Sequence, residues 1–142
     1  MARIRHTGIV TKNLQKSIKF WNKYLKFKIH KQANESGDLI DRIMLYKNVK
    51  VKTVKLRDSD GLLIELLSFK NSPKTKEKKI KPYSNGITHI SITVKNIKKL
   101  YNFLIKKKIK FNSEPKVSAD GKVLMTYCRT PEGAFLELVQ EL

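Results

Sequence analysis

The chain has little cysteine and no long apolar segment. Cys128 is the only cysteine, which excludes an internal disulfide and is typical of a reducing compartment. Because it lies in the strand-like run VLMTYCR, we expect a buried and unreactive thiol. No apolar run approaches the length that crosses a bilayer, and the opening MARIRHTGIV contains no apolar targeting segment. We therefore expect a cytoplasmic protein that is not inserted in a membrane.

Acidic side chains are also scarce, with 12 Asp and Glu against 31 Lys and Arg, for a formal net charge of +19. Such a charge raises nucleic acid as a possible partner. However, 26 of these basic residues are lysine and 5 are arginine, whereas proteins that read phosphates and base edges favour the bidentate guanidinium group. We interpret the lysines as a solvated surface rather than a nucleic-acid interface. Their field should favour encounters with anionic small molecules.

The two halves of the chain resemble each other. Aligning His6 with His89 places HTGIVTKNLQKSIKFW over HISITVKNIKKLYNFL, and aligning Glu65 with Glu137 places DGLLIELLS over EGAFLELVQ. Such self-similarity indicates a duplicated module. The 142 residues suffice for one core, whereas either half alone would be marginally stable. We predict a single domain over residues 1–142, with module 1 at 1–70, a linker at 71–85 and module 2 at 86–142.

Hydrophobic periodicity predicts the same order of elements in both modules: a strand, a helix and three strands. For module 1 it predicts strands at 4–10, 27–32, 49–56 and 62–69, a helix at 14–25 and a short helix in LIDRIMLY. For module 2 it predicts strands at 87–94, 110–112, 122–129 and 135–139 and a helix at 97–107. Asn13 is the predicted N-cap of the first helix. The predicted fold class is therefore α+β, with two βαβββ modules.

Four side chains stand out because they occupy equivalent positions in the repeat: His6, Glu65, His89 and Glu137. Residues two apart on a strand share a face. The positions that alternate with these four are apolar, so we expect helices to cover that face. The face that carries the four instead holds small or hydroxylic neighbours such as Gly8, Ser91 and Thr93. We predict that all four project from one sheet surface, away from the helices.

Imidazole nitrogens and carboxylate oxygens suit Ni, Zn, Co, Fe or Mn. Two histidines and two glutamates would fill four positions of an octahedron and leave two for substrate oxygens. Such a Lewis acid polarises a carbonyl and stabilises an enediolate, with a glutamate as general base. Taken singly, each residue is more often structural; the repeat favours metal binding. Two histidines with one carboxylate also form the set of non-haem iron oxygenases, so that chemistry stays open.

The segments HTGIVTKNLQKSIKFW, DGLLIELLSF, GITHISITVKNIKKLYNFL and TPEGAFLELVQ, in that order, resemble the vicinal oxygen chelate superfamily. It includes glyoxalase I, methylmalonyl-CoA epimerase, extradiol dioxygenases and bleomycin-binding proteins. The resemblance implies a cupped mixed sheet with the helices outside, a divalent metal and a homodimer. The ligand set is similar to that of glyoxalase I, lactoylglutathione lyase, which implies metal ligands at His6, Glu65, His89 and Glu137 and a catalytic base at Glu137 or Glu65.

Two positions depart from the glyoxalase pattern. Val10 and Phe69 stand where bacterial glyoxalases carry the arginine and asparagine that help hold glutathione, so a different thiol or substrate is expected. The resulting prediction is a metal-dependent lyase or isomerase that acts on a small, anionic α-oxygenated carbonyl compound. Two alternatives stay open. One is a methylmalonyl-CoA epimerase-like enzyme, and the other is a non-catalytic protein that sequesters a ligand or antibiotic.

Overall fold

The computed structural model describes residues 1–142. They divide into two compact units, Met1–Glu77 and Lys78–Leu142. The boundary between the units falls inside the predicted linker at 71–85, and a single domain over the whole chain stays a prediction. No helix is long and apolar enough to cross a membrane.

The first unit contains four strands and two helices. They are β1 (Thr7–Val10), α1 (Leu14–Ile18, continued by a π-helical segment at Lys19–Tyr24), β2 (Lys28–Ser36), α2 (Asp38–Met44), β3 (Lys50–Arg57) and β4 (Leu63–Phe69). The strand order is β1-β4-β3-β2. β1 pairs with β4 in parallel, whereas the β4–β3 and β3–β2 pairs are antiparallel.

The second unit repeats this topology. Its elements are β5 (His89–Thr93), α3 (Ile97–Lys106), β6 (Lys116–Val117), β7 (Val123–Arg129) and β8 (Phe135–Glu141). The order β5-β8-β7-β6 has the same parallel first pair and antiparallel hairpin. The predicted fold class is confirmed, since each unit is a βαβββ module built on a four-stranded mixed sheet.

The repeated helices begin in the same way. The Asn13 side chain accepts a hydrogen bond of 3.0 Å from the Lys16 amide, and Asn96 accepts one of 2.9 Å from the Lys99 amide. Each asparagine thereby satisfies an amide that lacks a helical partner. The predicted N-cap at Asn13 is confirmed, and its repeat equivalent at Asn96 has the same role.

Each sheet buries one face. In the first unit, Phe20 and Trp21 are buried with Val54, Leu56 and Leu66. In the second, the buried residues include Ile97, Leu104, Leu136 and Leu138. Successive strand residues point to opposite faces. Glu65 lies between Ile64 and Leu66, and Glu137 lies between Leu136 and Leu138, so both carboxylates project from the other face, as the sequence predicts.

Several boundaries differ from the predictions. The first strand begins at Thr7 rather than at residue 4, so His6 lies directly before it. The predicted loop NESGD supplies the last three residues of β2, because the long strand β3 offers partners as far as Lys50, which pairs with Ser36. The strand predicted at 110–112 is wrong. Phe111 makes only an isolated bridge to Cys128, and the ladder with β7 forms at Lys116–Val117 instead.

Candidate functional site

His6 and Glu65 are in contact in the first unit. The distance from His6 Nε2 to Glu65 Oε2 is 3.0 Å. The parallel pairing of β1 with β4 produces this contact, because it sets Gly8 opposite Glu65 and places His6 beside the same strand. The Glu65 side chain is only 12% exposed and that of His6 28% exposed. This burial strengthens the interaction relative to one in open solvent.

His89 and Glu137 form the corresponding pair in the second unit. His89 Nε2 lies 4.0 Å from Glu137 Oε2. The parallel pairing of β5 with β8 sets Ser91 opposite Glu137, as β1 and β4 set Gly8 opposite Glu65. His89 is the more open histidine, with 42% of its side chain exposed. The structure therefore brings together the first two predicted site residues and, separately, the last two.

The geometry of each pair can be compared with that of two ligands on one metal. Imidazole nitrogen and carboxylate oxygen bind zinc-like ions at about 2.1 Å, so two such donors at a right angle are separated by roughly 3.0 Å. The His6–Glu65 contact matches this separation, whereas the His89–Glu137 separation is wider. The Nδ1 atom of His6 is buried and has no hydrogen-bond partner. A metal-bound imidazole usually donates a hydrogen bond from its second nitrogen, and His6 lacks this hydrogen bond.

The donor types of both pairs thus fit a divalent cation, and each pair by itself supplies two donors. No group of three or more His, Cys, Asp or Glu side chains is arranged to hold a metal. The binding of one ion by all four residues stays a prediction.

Lys55 is a neighbour of Glu65 that the sequence pattern does not single out. Its Nζ atom lies 3.3 Å from Glu65 Oε1. Glu65 is therefore contacted on both oxygens, by an imidazole on one and by an ammonium group on the other. The antiparallel register of β3 and β4 pairs Lys55 directly with Glu65. The turn DSDG alone does not give this contact, because folding symmetrically about its four residues would set Ile64 opposite Lys55; the observed register sets Glu65 there.

Tyr127 occupies the equivalent position in the second unit, where β7 pairs it with Glu137. Partial burial raises the pKa of the Tyr127 hydroxyl, and a hydrogen bond to Glu137 and the negative charge of that carboxylate raise this pKa further. The Tyr127 ring also lies edge-on to the ring of His89, with a centroid distance of 5.4 Å. The two glutamates therefore differ in their neighbours: Glu65 has a cation and Glu137 has a neutral hydroxyl group.

Cys128, next to Tyr127 on β7, takes no part in this arrangement. Its side chain is fully buried. Burial raises the pKa of the thiol to about 12, because the thiolate would lose its hydration. The expected burial of this thiol is confirmed, and its lack of reactivity stays a prediction.

The architecture has counterparts among known proteins. A glyoxalase family protein from Bacillus cereus matches with a TM-score of 0.90 at 24% identity, over 100% of this chain and 95% of that chain. A glyoxalase family protein from Enterococcus faecalis has a TM-score of 0.69 at 20% identity, with 96% of both chains covered. The trypanothione-dependent glyoxalase I of Leishmania major has a TM-score of 0.69 at 23% identity, covering 99% of this chain and 88% of its own.

At these identities the structural matches establish the fold. No curated protein sequence matches the chain. The sequence model that describes the Glyoxalase/Bleomycin resistance protein/Dioxygenase superfamily matches residues 3–138. This match covers nearly the whole chain and confirms the resemblance drawn from the repeated segments. The chain belongs to the glyoxalase/bleomycin resistance protein/dioxygenase superfamily.

Proposed function

We propose that the protein is a divalent-metal-dependent, glyoxalase-like lyase or isomerase that moves a proton on a small α-oxygenated carbonyl compound. The observation that supports this proposal most directly is the recurrence of one arrangement. In each module a histidine at or directly before the start of the first strand lies within 4.0 Å of a glutamate on the last strand. A structural ion pair needs no such repetition at equivalent positions, whereas a ligand set drawn from a duplicated module does.

In this proposal His6, Glu65, His89 and Glu137 hold the cation. When bound, a divalent cation supplies Lewis-acid polarisation of a carbonyl oxygen. The residues of the chain supply the proton transfer, and Glu137 is better placed for it than Glu65. Both Glu65 oxygens are occupied, one by His6 and the other by the Lys55 ammonium group. Glu137 has only a neutral hydroxyl and a histidine 4.0 Å away, so it is freer to accept a proton from carbon.

The proposal extends to partners and location. The net charge of +19 suits an anionic small-molecule substrate. A homodimer and a cytoplasmic location complete the proposal. The Leishmania relative is a trypanothione-dependent glyoxalase I, and a thiol adduct of a dicarbonyl is therefore the first substrate class to test.

One observation favours a second candidate function, in which the protein binds a ligand without reaction. Lys55 already supplies Glu65 with a positive charge, so this carboxylate is compensated without a metal ion. A module of this kind would sequester an anionic or antibiotic-like ligand. The two candidates make opposite predictions for metal binding and for turnover.

Metal binding is tested by thermal unfolding of chelator-treated, dialysed protein with Ni, Co, Zn or Mn added in turn. A site filled at about one hundred times its dissociation constant stabilises the folded state by about 2.7 kcal/mol. For a domain of this size we expect a rise of roughly 8 °C in the unfolding midpoint. His89→Ala and Glu137→Gln should remove most of this rise. Glu141→Gln, an exposed carboxylate on the same strand, is the matched control and should keep it.

Equilibrium dialysis then gives the number of ions bound. One ion per chain, lost in variants of either pair, agrees with the proposal. Two independent ions, or none, contradict it. Turnover is tested with methylglyoxal hemithioacetals of several thiols and with methylmalonyl-CoA, the epimerase-type substrate. Activity that requires metal, and that falls by about two orders of magnitude in Glu137→Gln even at metal concentrations that fill the site of the variant, agrees with a general base. Ligand binding that survives Glu137→Gln, with no reaction in the parent protein, supports the sequestering function instead.

A further inference from the structure

The face of the first sheet that carries Glu65 has an excess of positive charge at one end. Arg57 lies on β3 two residues beyond Lys55, so both side chains project from the Glu65 face. On the neighbouring strand β2, Lys31 pairs with Lys55 and Lys28 pairs with Arg57. Directly paired residues in an antiparallel ladder share a face. Three further cations therefore accompany Lys55 at this end of the sheet.

These cations lack acidic partners. The Arg57 guanidinium contacts the His30 ring, with Nη2 lying 2.9 Å from Nδ1, and makes no ion pair. Arg57, Lys31 and Lys28 are all exposed. The acid that follows Arg57 is engaged elsewhere, because Asp58 Oδ1 accepts hydrogen bonds from the Asp60 and Leu62 amides in the hairpin turn. Like charges this close repel one another, so the cluster gains stability when an anion binds.

The equivalent arginine of the second unit shows what a purely structural arginine does in this position. Arg129 ends β7 as Arg57 ends β3. It donates hydrogen bonds to the carbonyl oxygens of Gly133 and Ile80, at 2.7 and 2.8 Å. Its guanidinium also stacks on the Phe135 ring at 3.7 Å. Arg57 makes none of these contacts. The hydrogen-bond donors of Arg129 are thus used within the protein, whereas Arg57 keeps donors available for a ligand.

Local backbone geometry supports the exposed arrangement. The β2–β3 register shifts between Ile29 and Lys31, which makes His30 an extra residue on β2. Such a bulge re-aims a side chain, and here the His30 ring meets Arg57. The opposite end of the same face is apolar, since the Phe69 ring lies 6.3 Å from that of Tyr46 and Val51 is buried. An anionic group of a ligand is therefore favoured only at the end of this sheet face that carries Arg57, Lys31 and Lys28.

From this geometry we infer that Arg57, Lys31 and Lys28 form a subsite that binds a carboxylate or phosphate group of the ligand. The subsite extends the proposed function, and its role in holding substrate rests on that function. Arg57 is two residues along β3 from the partner of Glu65, a separation of roughly 7 Å at the rise of an antiparallel strand.

Titration calorimetry on metal-free protein tests the subsite with two probes, pyrophosphate and malonate. The double variant R57Q/K31Q should weaken binding of the preferred probe by about tenfold or more, as expected for the loss of charge-assisted hydrogen bonds. The matched control K50Q/K52Q removes the same charge from the opposite face of β3 and should change affinity by less than about twofold. Preference for pyrophosphate assigns a phosphate-bearing ligand, and preference for malonate assigns a carboxylate-bearing ligand.

Equal losses in the two double variants would overturn the inference, because they would show only a general effect of net charge. Absence of saturable binding of both probes to the parent protein would overturn it as well. Other outcomes contradict the proposed function without contradicting the subsite, or the reverse. If the parent binds a probe but no metal, the subsite stands without the metal-dependent reaction. If a metal-dependent activity is found whose KM is the same in R57Q/K31Q and in the parent, the function stands without the subsite.

Discussion

The two arginines that end β3 and β7 are expected to differ strongly in their contribution to stability. Arg129→Ala removes hydrogen bonds to two backbone oxygens, at 2.7 and 2.8 Å, and a stacked ring at 3.7 Å. Because Arg129 is only partly buried, we assign about 1 kcal/mol to each hydrogen bond and about 0.5–1 kcal/mol to the ring contact. The expected loss is about 2.5–3 kcal/mol, or roughly 8–10 °C in the unfolding midpoint.

Arg57→Ala removes an exposed guanidinium whose only partner is the His30 ring, so we expect a change within about 0.5 kcal/mol. Urea and thermal unfolding followed by far-ultraviolet circular dichroism measure both variants. Arg129→Lys keeps the charge without the planar fork and should recover less than half of the loss. Equal destabilisation by the two alanine variants would refute the assignment of Arg129 to structure and of Arg57 to ligand.

Three further outcomes follow from single contacts. Asn96→Ala should lower the free energy of unfolding by about 1 kcal/mol, because the Lys99 amide loses its 2.9 Å partner; Asn96→Asp should retain stability in the same urea titration. The thiol of Cys128 has a pKa of about 12, so only about one thiol in ten thousand is ionised at pH 8. Cys128 should therefore not react with a disulfide reagent at pH 8 in the folded protein, and it should react fully in guanidinium. Lys55→Met should lower the free energy of unfolding of the metal-free protein by about 1–2 kcal/mol, because Glu65 then keeps only His6 as a partner. The same variant should show a larger nickel-induced rise in melting temperature than the parent. An unchanged or smaller rise would show that the Lys55 charge does not weaken metal binding.

Some elements were predictable because local sequence decides them. Asn13 and the helical periodicity after it are local signals, and the first helix begins where they indicate. The alternation around Glu65 and Glu137 similarly assigns both carboxylates to the face opposite the core leucines. Pairing with a neighbouring strand decides the strand boundaries that differ from the prediction. The end of β2 depends on how far β3 extends beside it, and the position of β6 depends on which residues β7 can pair with. Neither is encoded within the strand concerned.

The same distinction applies to the candidate site. The repeat in the sequence determines the family, the βαβββ order and the choice of His6, Glu65, His89 and Glu137, because residue type and period are properties of the chain alone. Tertiary structure decides which side chains surround them. Only the register of β3 against β4 places the Lys55 ammonium on Glu65, and only the register of β7 against β8 places the Tyr127 hydroxyl on Glu137. A strand's pairing register is a contact between distant segments, so the different surroundings of the two glutamates arise only when the sheets form.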